Sequence, residues 1–97
     1  MSVVVLVDLN VQADKVDDLI SYIAGVIDAT RAYDGCELMT MVVNQDDPSN
    51  VLFVERWETR AKYEAYLAWR TEAGSMENLV GMLAGDPVIR YFDDTGV

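Results

Sequence analysis

The sequence predicts an α+β domain with ferredoxin-like β-α-β-β-α-β order, an antiparallel sheet carrying its helices on one face. Three observations carry that expectation: an apolar period of two at the start of the chain, a switch to three- and four-residue spacing after Asp14, and a second pass through the same alternation after Val51. The 97 residues amount to one domain, 1–97, with no repeat, linker or second unit. A chain this short buries only about two-thirds of its unfolded surface, so help from a second copy is expected.

Val3, Val5, Val7, Leu9 and Val11 alternate with Val4, Leu6, Asp8 and Asn10, which is strand periodicity. The segment from Met1 to Asp8 lacks a basic n-region and its apolar run ends at Asp8, which argues for a first strand and against a signal peptide. Val16, Leu19, Ile20, Ile23, Val26 and Ile27 then define one helix of about five turns. It is expected to begin near Asp14 as N-cap and to stop at Asp34-Gly35. Cys36 to Val43 and Val51 to Trp57 read as two strands reversed by Asn44-Gln45-Asp46-Asp47-Pro48-Ser49-Asn50. Adjacent Asp46 and Asp47 are ordinary loop composition rather than a metal site. Thr59 is a candidate N-cap for a helix over Ala61 to Glu72, whose Tyr63, Tyr66, Leu67 and Arg70 form one stripe. Gly74-Ser75 breaks it, Met76 to Leu83 restart a helical piece, Gly85-Asp86-Pro87 ends that piece, and Val88 to Phe92 is a last strand.

Composition removes several functions. Hydrophobic residues make up 52% of the chain and charged residues 25%, and no apolar run approaches the roughly 20 residues of a membrane span. Seventeen acids against seven bases give a net charge of −10, which repels phosphate backbones and anionic lipids, so neither nucleic acid nor membrane is an expected partner. There is no histidine, hence no common metal ligand and no ordinary base near neutrality. Cys36 is a single cysteine, which fits a reducing, cytoplasmic setting and a small buried hydrophobe in a strand. Methionines 39, 41, 76 and 82 read as adaptable core volume.

A sheet with helices on one face leaves the other uncovered. That face is expected to bear Val4, Leu6, Leu38, Val42, Leu52 and Val54, with Ile89 and Tyr91 as further candidates. Asp8 and Asn10 share the face and either solvate the strand end or meet a partner. A stripe this apolar predicts a homodimer through the open sheet face.

Arg31-Ala32-Tyr33-Asp34-Gly35-Cys36-Glu37, then Asp46-Asp47-Pro48-Ser49-Asn50, then Val54-Glu55-Arg56-Trp57-Glu58-Thr59 and Ala65-Tyr66-Leu67 resemble the antibiotic biosynthesis monooxygenase family. In that family of dimeric α+β barrels the first helix ends in a Gly-Cys turn, the hairpin carries Asp-Pro, and the third strand ends in Glu-x-Trp. The resemblance spans nearly the whole chain. It implies cofactor-free oxidation of an electron-rich phenol or hydroquinone by molecular oxygen, in a pocket between sheet and helices. The matching pocket positions are Trp57, Tyr63 and Tyr66, with Phe53 and Glu55 on the same strand face by alternation. Two departures stand out. Tyr66 occupies a position where many members have histidine, and a second histidine common near Arg70 and Thr71 is missing. Haem-degrading relatives use a histidine from this helix and an asparagine on the first strand, where this chain has Val7, so the resemblance does not extend to haem.

Each candidate has two readings. Trp57, Tyr63 and Tyr66 are either core or ring-binding residues. Glu55 is structural if Arg70 or Arg90 pairs with it, and a base if it stands unpaired beside a pocket, its pKa then raised by burial. In a catalytic arrangement Tyr66 orients a substrate hydroxyl, Glu55 or Arg70 manages its proton, and Trp57, Phe53 and Tyr63 hold the ring, with no metal and no cofactor. The alternative is a non-catalytic dimeric small-molecule-binding protein of the same fold. An open apolar pocket of roughly 300 Å³ or more favours the first, and an interior filled by Trp57, Tyr63 and Tyr66 favours the second.

Overall fold

The computed structural model describes residues 2–97; Met1, where the expected first-strand segment opens, lies outside them. The elements are β1 (Val3–Asn10), α1 (Val16–Arg31), β2 (Cys36–Val43), β3 (Asn50–Trp57), α2 (Arg60–Glu72), α3 (Ser75–Val80) and β4 (Val88–Asp93). The four strands form one antiparallel sheet in the order β2-β3-β1-β4. The α+β ferredoxin-like order is therefore as the sequence predicts.

Alternation decides what β1 and β3 bury. Val3, Val5, Val7 and Leu9 of β1 and Val51, Phe53, Glu55 and Trp57 of β3 are buried on the helix side, while the residues between them are half-buried or exposed. Burying an aliphatic or phenyl side chain contributes roughly 1.5–3 kcal/mol, so these two central strands supply much of the driving force. The edge strand β2 buries only Met39, and Cys36 is half-buried there rather than sealed in.

Helix α1 lays Leu19 and Ile23 on the sheet, with Val16, Val26 and Ile27 beside them. Ile20, expected in the same stripe, is 40% exposed because one step of about 100° carries it off the face that Leu19 centres. The expected Asp14 cap is replaced by Lys15, whose side chain makes no capping bond; Asp14 lies in the turn that Lys15 N closes on Gln12 O at 2.8 Å. Thr59 does cap α2, its hydroxyl accepting from Lys62 N at 3.2 Å.

The register corrects one assignment. Ile89 pairs with Val7 and Tyr91 with Val5, which places both on the helix side; Val88, Arg90 and Phe92 take the open face instead. That face also carries Val4, Leu6, Leu52, Val54, Leu38 and Val42, and no helix covers it. Leu38, Val42, Phe92 and Val88 are 41–54% exposed. The domain is only 21 Å thick along its shortest axis, about the depth of one sheet plus one helix layer. Asp8 and Asn10 are held within the chain, both accepting from Asn50 Nδ2, at 2.7 and 3.4 Å. In the β2–β3 loop Asn44 and Asp47 accept from the backbone of Asp46 and Ser49, which is turn chemistry.

Candidate functional site

A cavity of about 70 Å³ lies between the sheet and the helices. Strand β3 contributes Phe53 and Glu55 to it, α2 contributes Tyr63, Tyr66, Leu67 and Arg70, and α1 contributes Tyr22, Ile23, Val26, Ile27 and Thr30. Met39, Val7, Leu9 and Ile89 complete the sheet wall, and Ser75, Met76 and Leu79 close the α3 end. Apart from one carboxyl, one guanidinium and a few hydroxyls, this lining is apolar.

Glu55 is 3% exposed. Its inward direction follows from its place two residues before Trp57 on one face of β3. Of the two readings, the ion pair with Arg70 or Arg90 is not formed among the described residues: Arg90 sits on the opposite face of the sheet, and Trp57 Nε1 donates to the carboxyl Oε1 at 3.0 Å. Burial pushes the carboxyl from the ordinary glutamate value of 4.5 up to about 7, against the indole bond, which pulls it down.

Arg70 is 7% exposed and makes no ion pair among the described residues. Its Nη2 donates to Thr30 Oγ1 at 2.9 Å and to Val26 O at 3.0 Å, and its Nε donates to the Tyr66 hydroxyl at 3.1 Å. The Tyr66 and Thr30 hydroxyls share a further bond of 2.7 Å. The guanidinium also lies 4.8 Å from the Trp69 ring centroid, a partial substitute for a counter-ion. The spacing Tyr63, Tyr66, Leu67, Arg70 puts this set on one side of α2, as the helical period requires.

Five of the six expected site residues, Phe53, Glu55, Tyr63, Tyr66 and Arg70, border the cavity. Trp57 does not. It stands behind the wall, 5.1 Å from the Tyr66 ring and 5.5 Å from the Tyr63 ring, and reaches the site through Glu55. Tyr33, from the turn after α1, extends this aromatic cluster to Trp57, Tyr66 and Trp69 at 5.3–6.2 Å. Burial and the neighbouring Glu55 push the Tyr63 phenol far above the ordinary tyrosine value, so it is a neutral donor at any relevant pH.

Thr30 escaped the sequence reading. It is 3% exposed and links Arg70 to Tyr66. The available signal was its place seven residues after Ile23, on the apolar stripe of α1. The cavity is also well below the roughly 300 Å³ set for an open pocket, and the three expected aromatics pack on one another. Among the described residues no three His, Cys, Asp or Glu side chains group as a metal site. No helix among them is long and apolar enough to cross a membrane.

Comparison with known proteins follows the fold closely. A conserved protein from Methanosarcina mazei Go1 superposes with a TM-score of 0.88 at 15% identity, covering 98% of this chain and 94% of that one. An antibiotic biosynthesis monooxygenase superposes at 0.84 with 18% identity, covering 96% and 98%. A candidate antibiotic biosynthesis monooxygenase from Deinococcus radiodurans does so at 0.82 with 22% identity, covering 95% and 91%. Identities this low speak to the fold. No curated protein sequence matches the chain. The family model for antibiotic biosynthesis monooxygenases matches residues 2–72, from the first strand through the whole of α2 and so through Thr30, Glu55, Tyr66 and Arg70. The chain belongs to the antibiotic biosynthesis monooxygenase family.

Proposed function

We propose that the chain is a cofactor-independent monooxygenase that oxidises a small aromatic hydroquinone or polyphenol with molecular oxygen. The observation that carries this reading is Glu55: a carboxyl sealed into an apolar cavity, without a cationic partner, titrating near neutrality. A base is most effective when its pKa lies near the working pH, and this one is poised there without a histidine.

Glu55 takes the phenolic proton, and the resulting phenolate is the electron donor to oxygen. One oxygen atom bonds to the ring, and the other leaves as water with two protons of the hydroquinone, one of them the proton carried by Glu55. A hydroquinone plus O₂ then balances to a hydroxyquinone plus water, with no external reductant. The apolar lining excludes water and raises the energy of any unpaired charge, and Arg70, Tyr66 and Thr30 present hydrogen-bond donors on the helix side of the cavity. Phe53 and Tyr63 hold the ring. Trp57 acts on the ring indirectly, by fixing the carboxyl that faces it.

The same reading takes two copies joined through the open sheet face, where Leu6 and Val54 are register partners at the centre. Family membership supports it, and each subunit then keeps its own cavity on the far side of the sheet.

A second reading has an observation of its own. The cavity of about 70 Å³ is under half the roughly 150 Å³ that admits benzene, so a ring enters only if the lining gives. A non-catalytic dimeric binder of a small ligand is consistent with that volume and with the packed Trp57–Tyr63–Tyr66 cluster. Oxygen uptake with a hydroquinone panel separates the two. The oxygenase reading expects uptake that falls at least tenfold in Trp57→Ala and Tyr66→Phe; no uptake, or rates equal to the parent chain in both variants, leaves the binder.

A further inference from the structure

The hydrogen-bond inventory of the cavity is one-sided. Arg70 uses Nε and Nη2 within the chain, and nothing among the described residues bonds Nη1. Thr30 and Tyr66 have two hydroxyl protons between them and one shared bond, so whichever donates, one O–H remains free. Tyr63 lines the cavity at 1% exposure, and its hydroxyl bonds nothing among the described residues. Among those residues no fully sealed side-chain nitrogen or oxygen lacks a partner, so these spare groups border open volume. Each of these spare groups on the helix side can donate, and one carries a fixed positive charge. The carboxylate acceptor is Glu55, on the sheet wall.

From this arrangement we infer that the ligand is a monocyclic hydroxylated aromatic acid, its carboxylate on Arg70 between α1 and α2 and its ring hydroxyl toward Glu55 on β3. This rests on the site assigned above and narrows what it accepts. A buried guanidinium without an acid is costly, and a planar carboxylate matches both the Nη1 donors and the adjacent free hydroxyl. A phenolate placed on Arg70 fits less well, because Glu55 would then have no proton to take. The net charge of −10 opposes any anion at long range, so the preference has to come from this buried corner. At about 70 Å³ the cavity admits even a single ring only if its lining gives, and fused rings would need still more movement. Met76, a flexible side chain at the α3 end, is the lining residue best able to make room.

The test is anaerobic calorimetric titration of the intact protein at pH 7.5 with 2,5-dihydroxybenzoate and with its neutral isostere 2,5-dihydroxybenzamide. The acid is expected to bind at least about tenfold more tightly, as one charge-assisted bond supplies. Arg70→Gln should abolish that preference. If Arg70→Gln does not fold, Arg70→Lys serves: it keeps the charge without the fork, and a preference reduced severalfold supports the inference. Equal affinities in the parent chain, binding of neither compound, or an unchanged preference in the folded Arg70 variant overturns it. The oxygenase reading fails separately. An acid bound through Arg70 but never oxidised defeats that reading alone, and turnover of neutral hydroquinones that the acid does not inhibit defeats this inference alone.

Discussion

Trp57 Nε1 donates to Glu55 Oε1 at 3.0 Å, two residues back along the same face of β3. The bond turns a neighbouring pair within one strand into a single unit: the indole packs against Tyr63 and Tyr66, and the carboxyl it holds faces the cavity. The tryptophan thereby sets the direction of the carboxyl and part of its proton affinity.

Replacing that indole therefore moves the acid. In Trp57→Phe the bond that lowers the Glu55 pKa is gone while burial remains, so Glu55 is expected to titrate above its present value of about 7. Carbon-13 NMR of labelled glutamate carboxyls reads this directly, and an unchanged titration would show that the bond contributes nothing. Stability should fall by about 1–3 kcal/mol from lost volume and the orphaned acceptor.

The raised acid also makes stability depend on pH. Glu55 titrates at about 7 folded against 4.5 ordinarily, so between those values the folded chain binds the extra proton. Its contribution is therefore complete below pH 4.5 and is lost as the pH rises through about 7. The loss is about 3 kcal/mol at 1.36 kcal/mol per pKa unit. Glu55→Gln, neutral throughout, should flatten that fall in urea unfolding between pH 4 and 8 and be the more stable chain at pH 8. Identical slopes for the two proteins would mean that Glu55 titrates at the same pH folded and unfolded.

How far the sequence foretold the site depends on which relation placed each residue. Alternation put Phe53, Glu55 and Trp57 on one face, and the helical period put Tyr63, Tyr66 and Arg70 on one stripe, because both are local periods. The choice between a paired and an unpaired Glu55 stayed open because pairing depends on how α2 docks on β3, which no period encodes. Ile89 and Tyr91 were put on the open face for a related reason: β4 is apolar at Val88, Ile89, Tyr91 and Phe92, so its composition leaves the phase of alternation open until the register with β1 sets it. Thr30 was invisible because its role exists only once Arg70 crosses from α2 to α1.

That crossing should be cooperative. Thr30→Val and Tyr66→Phe each remove a partner of the buried guanidinium and are expected to cost about 1–3 kcal/mol singly. Their combined cost should differ from the sum by about 0.5 kcal/mol or more, since they share both Arg70 and the 2.7 Å bond. Additive losses in a double-mutant cycle by chemical denaturation would show that the three residues do not act as a unit.

On the other face of the sheet, Leu6 lies opposite Val54 on one side and Arg90 on the other, at the centre of the uncovered apolar surface. Leu6→Asp or Val54→Asp is expected to convert a dimer into monomers or aggregates in sedimentation velocity. A folded dimer from either variant would place the interface elsewhere.

The proton-taking role of Glu55 is tested most directly by the pH profile of oxygen uptake on a dihydroxylated aromatic substrate. With the carboxylate as base, the rate should rise through about pH 7 in the parent chain, and Glu55→Gln should lose both that rising limb and at least about a hundredfold in rate. A profile and rate unchanged by the substitution would contradict it.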